Sequence, residues 1–284
     1  MTGSQAISPA TGKRKPLGMA LLRNAPALLL ASPFLFIAAF TLLAAFTPTA
    51  DLNRGQLGSF TLENFRLAWE SADFPRLYAN TLLFTLGLLL VQLFTVTTAG
   101  FALAQLKVRG RNAVFYLILA QLFLPPSALI LPNYLLIHRL GLSDTLTALA
   151  LPYVASATGA FLLRQGFLQV PRELLDAARV DGATPWQILY RVMLPLVRPQ
   201  LAAFALVSLV YHWNEFLWPL VVIQSREKRV LSLGFAAFAR SAESGMEWGL
   251  IAAGAVLVAL PLVLGFVLFQ RAFVEAFARS GLKG

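Results

Sequence analysis

Residues 81–106 read TLLFTLGLLLVQLFTVTTAGFALAQL and contain no charged side chain. A helix needs about 20 consecutive apolar residues to cross the hydrocarbon core of a bilayer, and this run is longer than that. Because only helices and closed barrels satisfy every backbone hydrogen bond in lipid, so long and continuous a run predicts a membrane-spanning helix.

The rest of the chain repeats this pattern. The 284 residues are 58% hydrophobic and only 13% charged, whereas soluble domains carry about 25% charged residues. Five more apolar segments have spanning length, and they are residues 25–46, 113–137, 145–163, 201–223 and 249–269. We therefore predict an all-α polytopic membrane protein with six transmembrane helices. Pro125, Pro126 and Pro132 are expected to break or kink the third of them.

The first segment could also be a secretory signal, since Lys13, Arg14 and Lys15 precede it within residues 1–24. Its apolar run is longer than a typical signal core and ends in no clear cleavage pattern. We interpret it as an uncleaved first span.

The basic residues indicate an orientation. Fifteen of the 23 Lys and Arg residues fall in the terminal segments and in every second connection, and the segments concerned are residues 1–24, 107–112, 164–199 and 270–284. The other connections, which include residues 47–80 and 224–248, carry eight basic and eight acidic residues. The positive-inside rule then places both termini in the cytoplasm. Basic residues interleaved with exposed aromatics in a soluble region, as nucleic-acid binding requires, are absent.

Two connections are longer than turns. The outer one, residues 47–80, contains Leu62-Glu63-Asn64-Phe65 and Trp69, which predict a short interfacial helix. The inner one, residues 164–199, predicts a hairpin of two short helices.

Capping residues mark the hairpin. Pro171 suits the start of its first helix, and Glu173 places a negative charge at the positive helix end. Gly182 ends that helix because glycine tolerates a left-handed backbone. Thr184 caps the second helix in a capping box with Gln187.

The first helix of the hairpin is amphipathic, with an apolar stripe of Leu174, Leu175, Ala178 and Val180. The second is expected to end before Pro195. Such a hairpin could lie on the membrane surface, or protrude as a knob that docks into a groove of a cytoplasmic partner. Local physics leaves both interpretations open.

Glu215 is the one carboxylate within the six segments. Carboxylates in a membrane usually face the bundle interior or water, so Glu215, with Asn214 and Trp213, is a candidate for the translocation path. Alternatively, Glu215 forms a helix-to-helix hydrogen bond or lies near solvent. Trp213 and Trp218 could stack on sugar rings, although interfacial aromatics are commonly anchors. His212 is interpreted as packing or hydrogen bonding.

Nothing in the sequence indicates catalysis. It has no cysteine, and its two histidines, His138 and His212, lie far apart. No His, Asp and Glu cluster has metal-ligand spacing, and there is no Gly-x-x-x-x-Gly-Lys-Ser/Thr loop for nucleotide phosphates. We expect no catalytic residue, no metal and no cofactor, so that any nucleotide hydrolysis resides in a partner.

The hairpin carries four motif elements in register. They are Asp176-Ala177-Ala178, Gly182, Val192 and Leu194-Pro195, with three, nine and one residues between them. This resembles the EAA loop of ABC importer permeases, which reads Glu-Ala-Ala, Gly, Ile and Leu-Pro at the same spacing. Asp for Glu and Val for Ile keep the charge and the branched shape.

The resemblance extends over nearly the whole chain and points to carbohydrate importers. The further matching stretches are Leu62-Glu63-Asn64-Phe65, Asn80, Trp213-Asn214-Glu215-Phe216, Gln270-Arg271-Ala272-Phe273-Val274 and Gly281-Leu282-Lys283-Gly284. The chain looks most like the shorter, six-span permease subunit of the maltose-transporter type.

This resemblance implies a complex in a bacterial or archaeal plasma membrane. A second, non-identical permease would complete the pore, two cytoplasmic ATPase subunits would drive alternating access, and an external solute-binding protein would deliver a sugar or oligosaccharide. The hairpin would be the coupling helix, whose ATPase-coupling residues are Glu173, Asp176, Ala177, Ala178, Asp181 and Gly182. The resemblance leaves open whether residues 270–284 also contact the ATPase.

Three other functions have their own sequence signatures. A secondary transporter or channel working alone predicts an inverted repeat or intramembrane ion-binding carboxylates. A membrane-embedded enzyme predicts clustered catalytic residues. An ABC permease for a non-sugar solute, such as glycerol phosphate, would share the hairpin.

Overall fold

The computed structural model describes residues 17–57, 59–106 and 109–281, and side chains over residues 25–27, 29–57, 59–106 and 109–267. Within these residues the chain is helical and has no strand, which confirms the all-α prediction. The predicted features at residues 1–16, at Lys107 and at Leu282-Lys283-Gly284 lie outside the described residues.

The helices follow one another with short connections. In the described residues the α-helices are, in chain order, α1 (Leu17–Ala45), α2 (Thr49–Asn53), α3 (Glu63–Ser71), α4 (Phe74–Gln105), α5 (Arg111–Ala120), α6 (Pro126–Arg139), α7 (Leu146–Ala150), α8 (Ala157–Leu168), α9 (Arg172–Val180), α10 (Pro185–Gln187), α11 (Leu194–Leu196), α12 (Arg198–Asn214), α13 (Leu217–Val222), α14 (Leu231–Ser244) and α15 (Trp248–Gly281). Turns of 3-10 helix occur at Gln121–Phe123, Leu151–Tyr153 and Arg226–Lys228, and a π-helical stretch occupies Ile188–Met193.

Two unbroken helices are long and apolar enough to cross a membrane, namely α4 and the Trp248–Val267 part of α15. α4 begins seven residues before the predicted segment 81–106, and α15 continues beyond the predicted segment 249–269. α1 is apolar over Leu29–Ala45, and most of its large side chains are exposed, as expected for a helix that faces lipid.

Three pairs of helices are bent instead of continuous. α5 and α6 meet at 105° where Pro125 and Pro126 were expected to break the helix, whereas α6 runs on through Pro132. α7 and α8 meet at 47°, and α10–α11 and α12 meet at 80°. The predicted continuous helix over 145–163 is therefore wrong. The count of six spans and their bounds stay a prediction.

The predicted helix over 201–223 is also interrupted, because α12 ends at Asn214 and α13 starts at Leu217. In the connection 47–80, the short helix expected near Glu63 is present as α3. Residues 224–248 were expected to be a loop, but they contain the 14-residue helix α14.

α4 is the central helix, and its largest interface is with α8. Glycines allow this close approach. A Cβ built on Gly159 would lie 2.5 Å from Val96 Cγ1 and 2.6 Å from Phe204 Cε2, and one built on Gly100 would lie 2.8 Å from Leu163 Cβ. These distances are shorter than packed atoms tolerate, so α4, α8 and α12 meet where no side chain intervenes.

Asp144 ties the α6–α7 turn to the α13–α14 connection. Its Oδ1 accepts hydrogen bonds from the backbone N–H groups of Gln224 and Ser225, at 2.9 and 3.0 Å, and from the Ser225 hydroxyl. Lys228 Nζ donates to its carbonyl at 2.7 Å. Partial removal from water acts to raise the pKa of this carboxylate, but the hydrogen bonds and the lysine charge outweigh it and lower the pKa from 3.8 to about 2.

Replacement of Gly159 by alanine should destabilise the protein by about 1–3 kcal/mol, because the new methyl group overpacks the crossing of three helices. The matched control is Gly87→Ala in α4, where a Cβ would meet nothing within 4 Å. That change should be neutral or stabilising by up to about 1 kcal/mol. Thermal unfolding of the purified variants measures both, and equal unfolding midpoints would contradict the close crossing.

Candidate functional site

The turn of the hairpin is a rigid helix cap. α9 ends in a Schellman motif, in which Gly182 N–H donates to the Arg179 carbonyl at 3.0 Å and Ala183 N–H to the Ala178 carbonyl at 2.9 Å. Gly182 has a φ of +76°, the left-handed conformation expected for it. The capping box is also present, since Thr184 N–H donates to Gln187 Oε1 at 2.7 Å and Gln187 N–H to Thr184 Oγ1 at 3.4 Å.

One face of the hairpin belongs to the core of the protein. Leu175 of α9 is 2% exposed, and it packs in one apolar cluster with residues of α4, α8, the π-helical stretch and α12. The buried members are Val96, Phe101, Ala104, Leu163, Phe167, Val170, Leu175, Ile188, Leu189, Met193, Val197 and Phe204. A displacement of the hairpin must therefore displace these helices.

The opposite face is exposed and carries most of the residues that were expected to couple to an ATPase. These exposed residues are Glu173, Asp176, Ala177, Asp181 and Gly182. Ala178 differs from them, because it is half-buried and packs against the core cluster. Asp176 Oδ1 accepts a hydrogen bond from Arg179 Nη1 at 2.8 Å.

The predicted apolar stripe of α9 divides between the two faces. Leu175 and Ala178 point inward, whereas Leu174 is 44% exposed and Val180 is 87% exposed. On the second half of the hairpin, the exposed rings of Trp186 and Tyr190 stack with centroids 5.9 Å apart. The exposed face thus carries apolar side chains beside charges of both signs, since Arg172 and Arg179 are exposed there too.

The second helix of the hairpin does not end before Pro195, as expected, but continues to Leu196. A proline in a helix clashes with the carbonyl four residues earlier, which here belongs to Arg191. Arg191 lies in the π-helical stretch Ile188–Met193, where the wider turn with i→i+5 bonding gives room for the proline ring.

Glu215 lies in the break between α12 and α13, where its side chain is partly exposed. Its Oε1 accepts a hydrogen bond from Trp218 N–H at 3.3 Å, which caps the start of α13, and its carbonyl accepts from the Ser232 hydroxyl at 2.6 Å. Asn214 is exposed and donates to the Val210 carbonyl at 2.8 Å. No hydrogen bond joins Asn214 to Glu215 in the described residues.

Trp213 and Trp218 are both buried, so neither presents a free ring face to a sugar. Trp218 Nε1 donates to the Ala148 carbonyl at 3.1 Å. Trp213 Nε1 donates to the Val258 carbonyl at 3.3 Å. Both indoles therefore anchor one helix to another.

A buried polar cluster that the sequence analysis did not single out joins α4, the 3-10 turn Leu151–Tyr153 and α12. Gln92 Nε2 donates to the Tyr153 carbonyl at 2.7 Å and lies 3.3 Å from His212 Nε2, while Gln92 Oε1 accepts from the Ser208 hydroxyl. The signal was present in the sequence, because Gln92 is a polar residue amid an apolar run. His212 is confirmed as a packed, hydrogen-bonding residue.

The described residues contain no group of three or more His, Cys, Asp or Glu side chains placed to hold a metal ion. The arrangement instead offers a mechanical function: an exposed hairpin, fixed to a helical membrane bundle through a shared core. This combination defines a polytopic helical membrane protein whose surface hairpin is mechanically linked to its spanning helices.

The family is shown by comparison with known proteins. Residues 96–279 match the family described as "Binding-protein-dependent transport system inner membrane component", and the chain belongs to that family. The resemblance to ABC importer permeases is thereby confirmed. Membership in a binding-protein-dependent system argues against the alternative function of a secondary transporter that works alone.

Similar proteins include permeases of two kinds. The chain is 35% identical over 260 residues to the arabinooligosaccharides transport system permease protein AraQ of Halalkalibacterium halodurans, which covers 88% of this chain and 92% of that protein. It is 32% identical over 229 residues to the sn-glycerol-3-phosphate transport system permease protein UgpE of Escherichia coli, covering 78% and 82%.

A solved structure shares the fold. A chain of a bacterial ABC transporter involved in import of the acidic polysaccharide alginate superposes with a TM-score of 0.77, at 23% sequence identity, over 90% of this chain and 95% of the other. The arrangement of helices described above is therefore that of a known ABC importer.

Two substitutions of Glu215 distinguish the hydrogen bond that its side chain accepts from the effect of its negative charge. Glu215→Gln keeps an oxygen that accepts from Trp218 N–H, whereas Glu215→Ala removes it and should cost about 0.5–2 kcal/mol. Thermal unfolding of both variants in the purified protein measures this difference. Equal losses from Gln and Ala would show that the negative charge, and not the cap, is what the site requires.

Proposed function

We propose that this chain is a permease subunit of a carbohydrate-class ABC importer that converts ATP hydrolysis by partner subunits into alternating access. A second, non-identical permease would complete the pore, two cytoplasmic ATPase subunits would bind from inside, and an external solute-binding protein would deliver the solute. The exposed hairpin with a buried inner face is the observation that carries this proposal.

The exposed face of the hairpin suits a protein groove better than a membrane surface. Helices that lie on membranes carry Lys and Arg on their polar face. Here the exposed charges of the first helix are mixed: Arg172 and Arg179 stand beside Glu173, Asp176 and Asp181, and Arg179 pairs with Asp176. The exposed apolar side chains of Leu174 and Val180 lie next to them. Charges of both signs give this face no net attraction to anionic lipid, whereas a protein groove can accommodate charged and apolar groups together.

Coupling requires a stiff connection between the ATPase and the pore. The Schellman motif and the capping box fix the hairpin turn, and Leu175 joins α9 to the core around α4 and α8. Ala178 lies inside this connection, so the docking contacts fall to Ala177, Asp176, Asp181, Glu173 and Gly182. Movement of the hairpin would then tilt α4, α8 and α12 together.

The orientation follows from charge. Residues 164–199 are rich in arginine, and the positive-inside rule places such a segment in the cytoplasm. The hairpin would then face the ATPase subunits, and both termini would lie on the same side. The membrane would be the bacterial or archaeal inner membrane.

The translocation path would pass the break between α12 and α13. Asn214 is exposed and Glu215 partly exposed there, and a helix break leaves backbone groups available to water or solute. Trp213 would support this region from behind, because its ring is buried against α15.

An oligosaccharide is the solute that we favour, since the similar AraQ proteins carry arabinooligosaccharide in their names and the solved relative belongs to an alginate importer. A glycerol phosphate ester is the second candidate, favoured by the similarity to UgpE.

The solute class can be tested in the assembled complex. Arabinooligosaccharides, other oligosaccharides and sn-glycerol 3-phosphate are each added with the cognate solute-binding protein, and ATP hydrolysis in proteoliposomes is recorded. We expect stimulation by an oligosaccharide and none by glycerol phosphate. Stimulation by glycerol phosphate alone would replace the first candidate by the second.

The coupling role predicts a defect specific to the hairpin. Gly182→Val forces a branched side chain into a left-handed backbone, which costs about 1–2 kcal/mol, and should abolish solute-stimulated ATP hydrolysis while leaving the pore helices folded. Ala177→Arg, on the exposed face, should weaken co-purification with the ATPase.

Gly141 supplies a matched control. It ends α6 in the same Schellman motif, with φ +69° and open space around its Cα, so Gly141→Val imposes the same strain elsewhere. We expect this variant to keep solute-stimulated ATP hydrolysis. If Gly182→Val also keeps it, the hairpin is not the coupling element.

A further inference from the structure

A cavity of about 340 Å³ lies between the starts of α4 and α15 and one face of α14. Both unbroken spanning helices begin at its rim, because Asp73 precedes α4 and Glu247 precedes α15. A spanning helix enters the hydrocarbon where its apolar run starts. The apolar run of α4 starts at residue 81 and that of α15 at residue 249, so the cavity lies just outside the hydrocarbon, at the depth of the lipid headgroups.

The floor of the cavity is apolar and closely packed. Leu77, Ala242 and Leu250 are buried there, and Phe238 is partly buried. A Cβ built on Gly234 of α14 would lie 2.3 Å from Leu77 Cδ2, so α14 and α4 are in direct contact below the opening. The cavity is thus a shaped depression with a fixed floor.

The rim carries positive charge that the protein pairs only in part. Arg76, Arg226 and Arg229 line it. Arg76 Nε is paired with Asp73 at 3.3 Å, which leaves its other guanidinium N–H groups available. Within the part of the chain that the structure describes, no salt bridge includes Arg226 or Arg229.

The other polar groups at the rim are the carboxylates of Asp73 and Glu247 and the hydroxyls of Ser71 and Ser241. Asp73 is engaged by Arg76. Glu247 forms no salt bridge among the described residues. A ligand that satisfies the rim must offer an anion to the arginines and hydroxyl donors to this carboxylate.

We propose that this cavity binds a hydroxyl-bearing phosphate ester at the membrane surface. Guanidinium groups match phosphate oxygens in planar, two-point contacts, and Arg226 and Arg229 would supply them. The hydroxyls of the ester would donate to Glu247, and its carbon skeleton would rest on Leu77 and Leu250. The headgroup of phosphatidylglycerol and a soluble glycerol phosphate share this chemistry.

The test uses the transporter assembled with its co-purified partner subunits in phosphatidylcholine nanodiscs. One arm titrates phosphatidylglycerol into the bilayer, and the other adds soluble glycerol phosphate. Each arm records the ligand-dependent shift of the melting temperature. The variants are Arg226→Gln and Arg229→Gln. The matched control is Arg240→Gln, an exposed arginine on α14 that does not line the cavity.

Each cavity variant should bind the ester about fivefold more weakly, the effect of one arginine at an anionic surface, and the control should bind like the unaltered protein. A response to phosphatidylglycerol alone identifies a lipid site, and a response to glycerol phosphate identifies a soluble ligand. The proposal is overturned if neither ester raises the melting temperature, or if the control and the cavity variants respond equally. A cavity variant that changes only the affinity for the solute-binding protein also overturns it.

Discussion

Every backbone N–H and C=O group of a helix in lipid needs a partner inside the protein, and this constraint explains several polar side chains in the bundle. At the α7–α8 and α12–α13 breaks, a side chain from another element satisfies a freed carbonyl group. Gln92 Nε2 and Thr95 Oγ1 donate to the carbonyls of Tyr153 and Val154, each at 2.7 Å, at the break between α7 and α8. The Ser156 hydroxyl accepts from Gly159 N–H at the start of α8.

The same constraint explains two hydrogen bonds that α15 accepts from other helices. Pro261 lies inside this helix and has no N–H to donate to the carbonyl of Leu257. The hydroxyl of Tyr78 on α4 donates to that carbonyl instead. Trp213 of α12 donates to the next carbonyl, that of Val258. A proline that would weaken an isolated helix thus becomes the point where three helices are joined.

The sequence predicts those parts of the fold that depend on local chemistry. Hydropathy locates α4 and α15, because an apolar run of spanning length has few alternatives to a helix in lipid. Thr184, Gln187 and Gly182 predict the hairpin caps, because each bonds to backbone within a few residues. The EAA-type spacing predicts the family for the same reason, since it lies within one short segment.

Structural features that depend on contacts with residues far along the chain are not predictable from local sequence. The breaks at Ser156 and Glu215 lie in apolar runs that hydropathy scores as continuous, and they exist because Gln92 and Ser232 supply hydrogen bonds from elsewhere. α14 was taken for a loop because its packing face includes small residues such as Gly234 and Ala242. Likewise, the sequence could not show which members of the α9 stripe would face inward, since α4 and α8 decide this.

The division of the hairpin into two faces has an evolutionary consequence. Leu175 packs against the helix bundle, whereas Val180, five positions later, is exposed on the outer face. Substitutions on the outer face can accumulate without loss of folding, and those on the inner face can follow changes in the pore helices. A lineage could therefore change the partner that contacts the outer face separately from the helices that pack against the inner face, although both faces belong to one nine-residue helix.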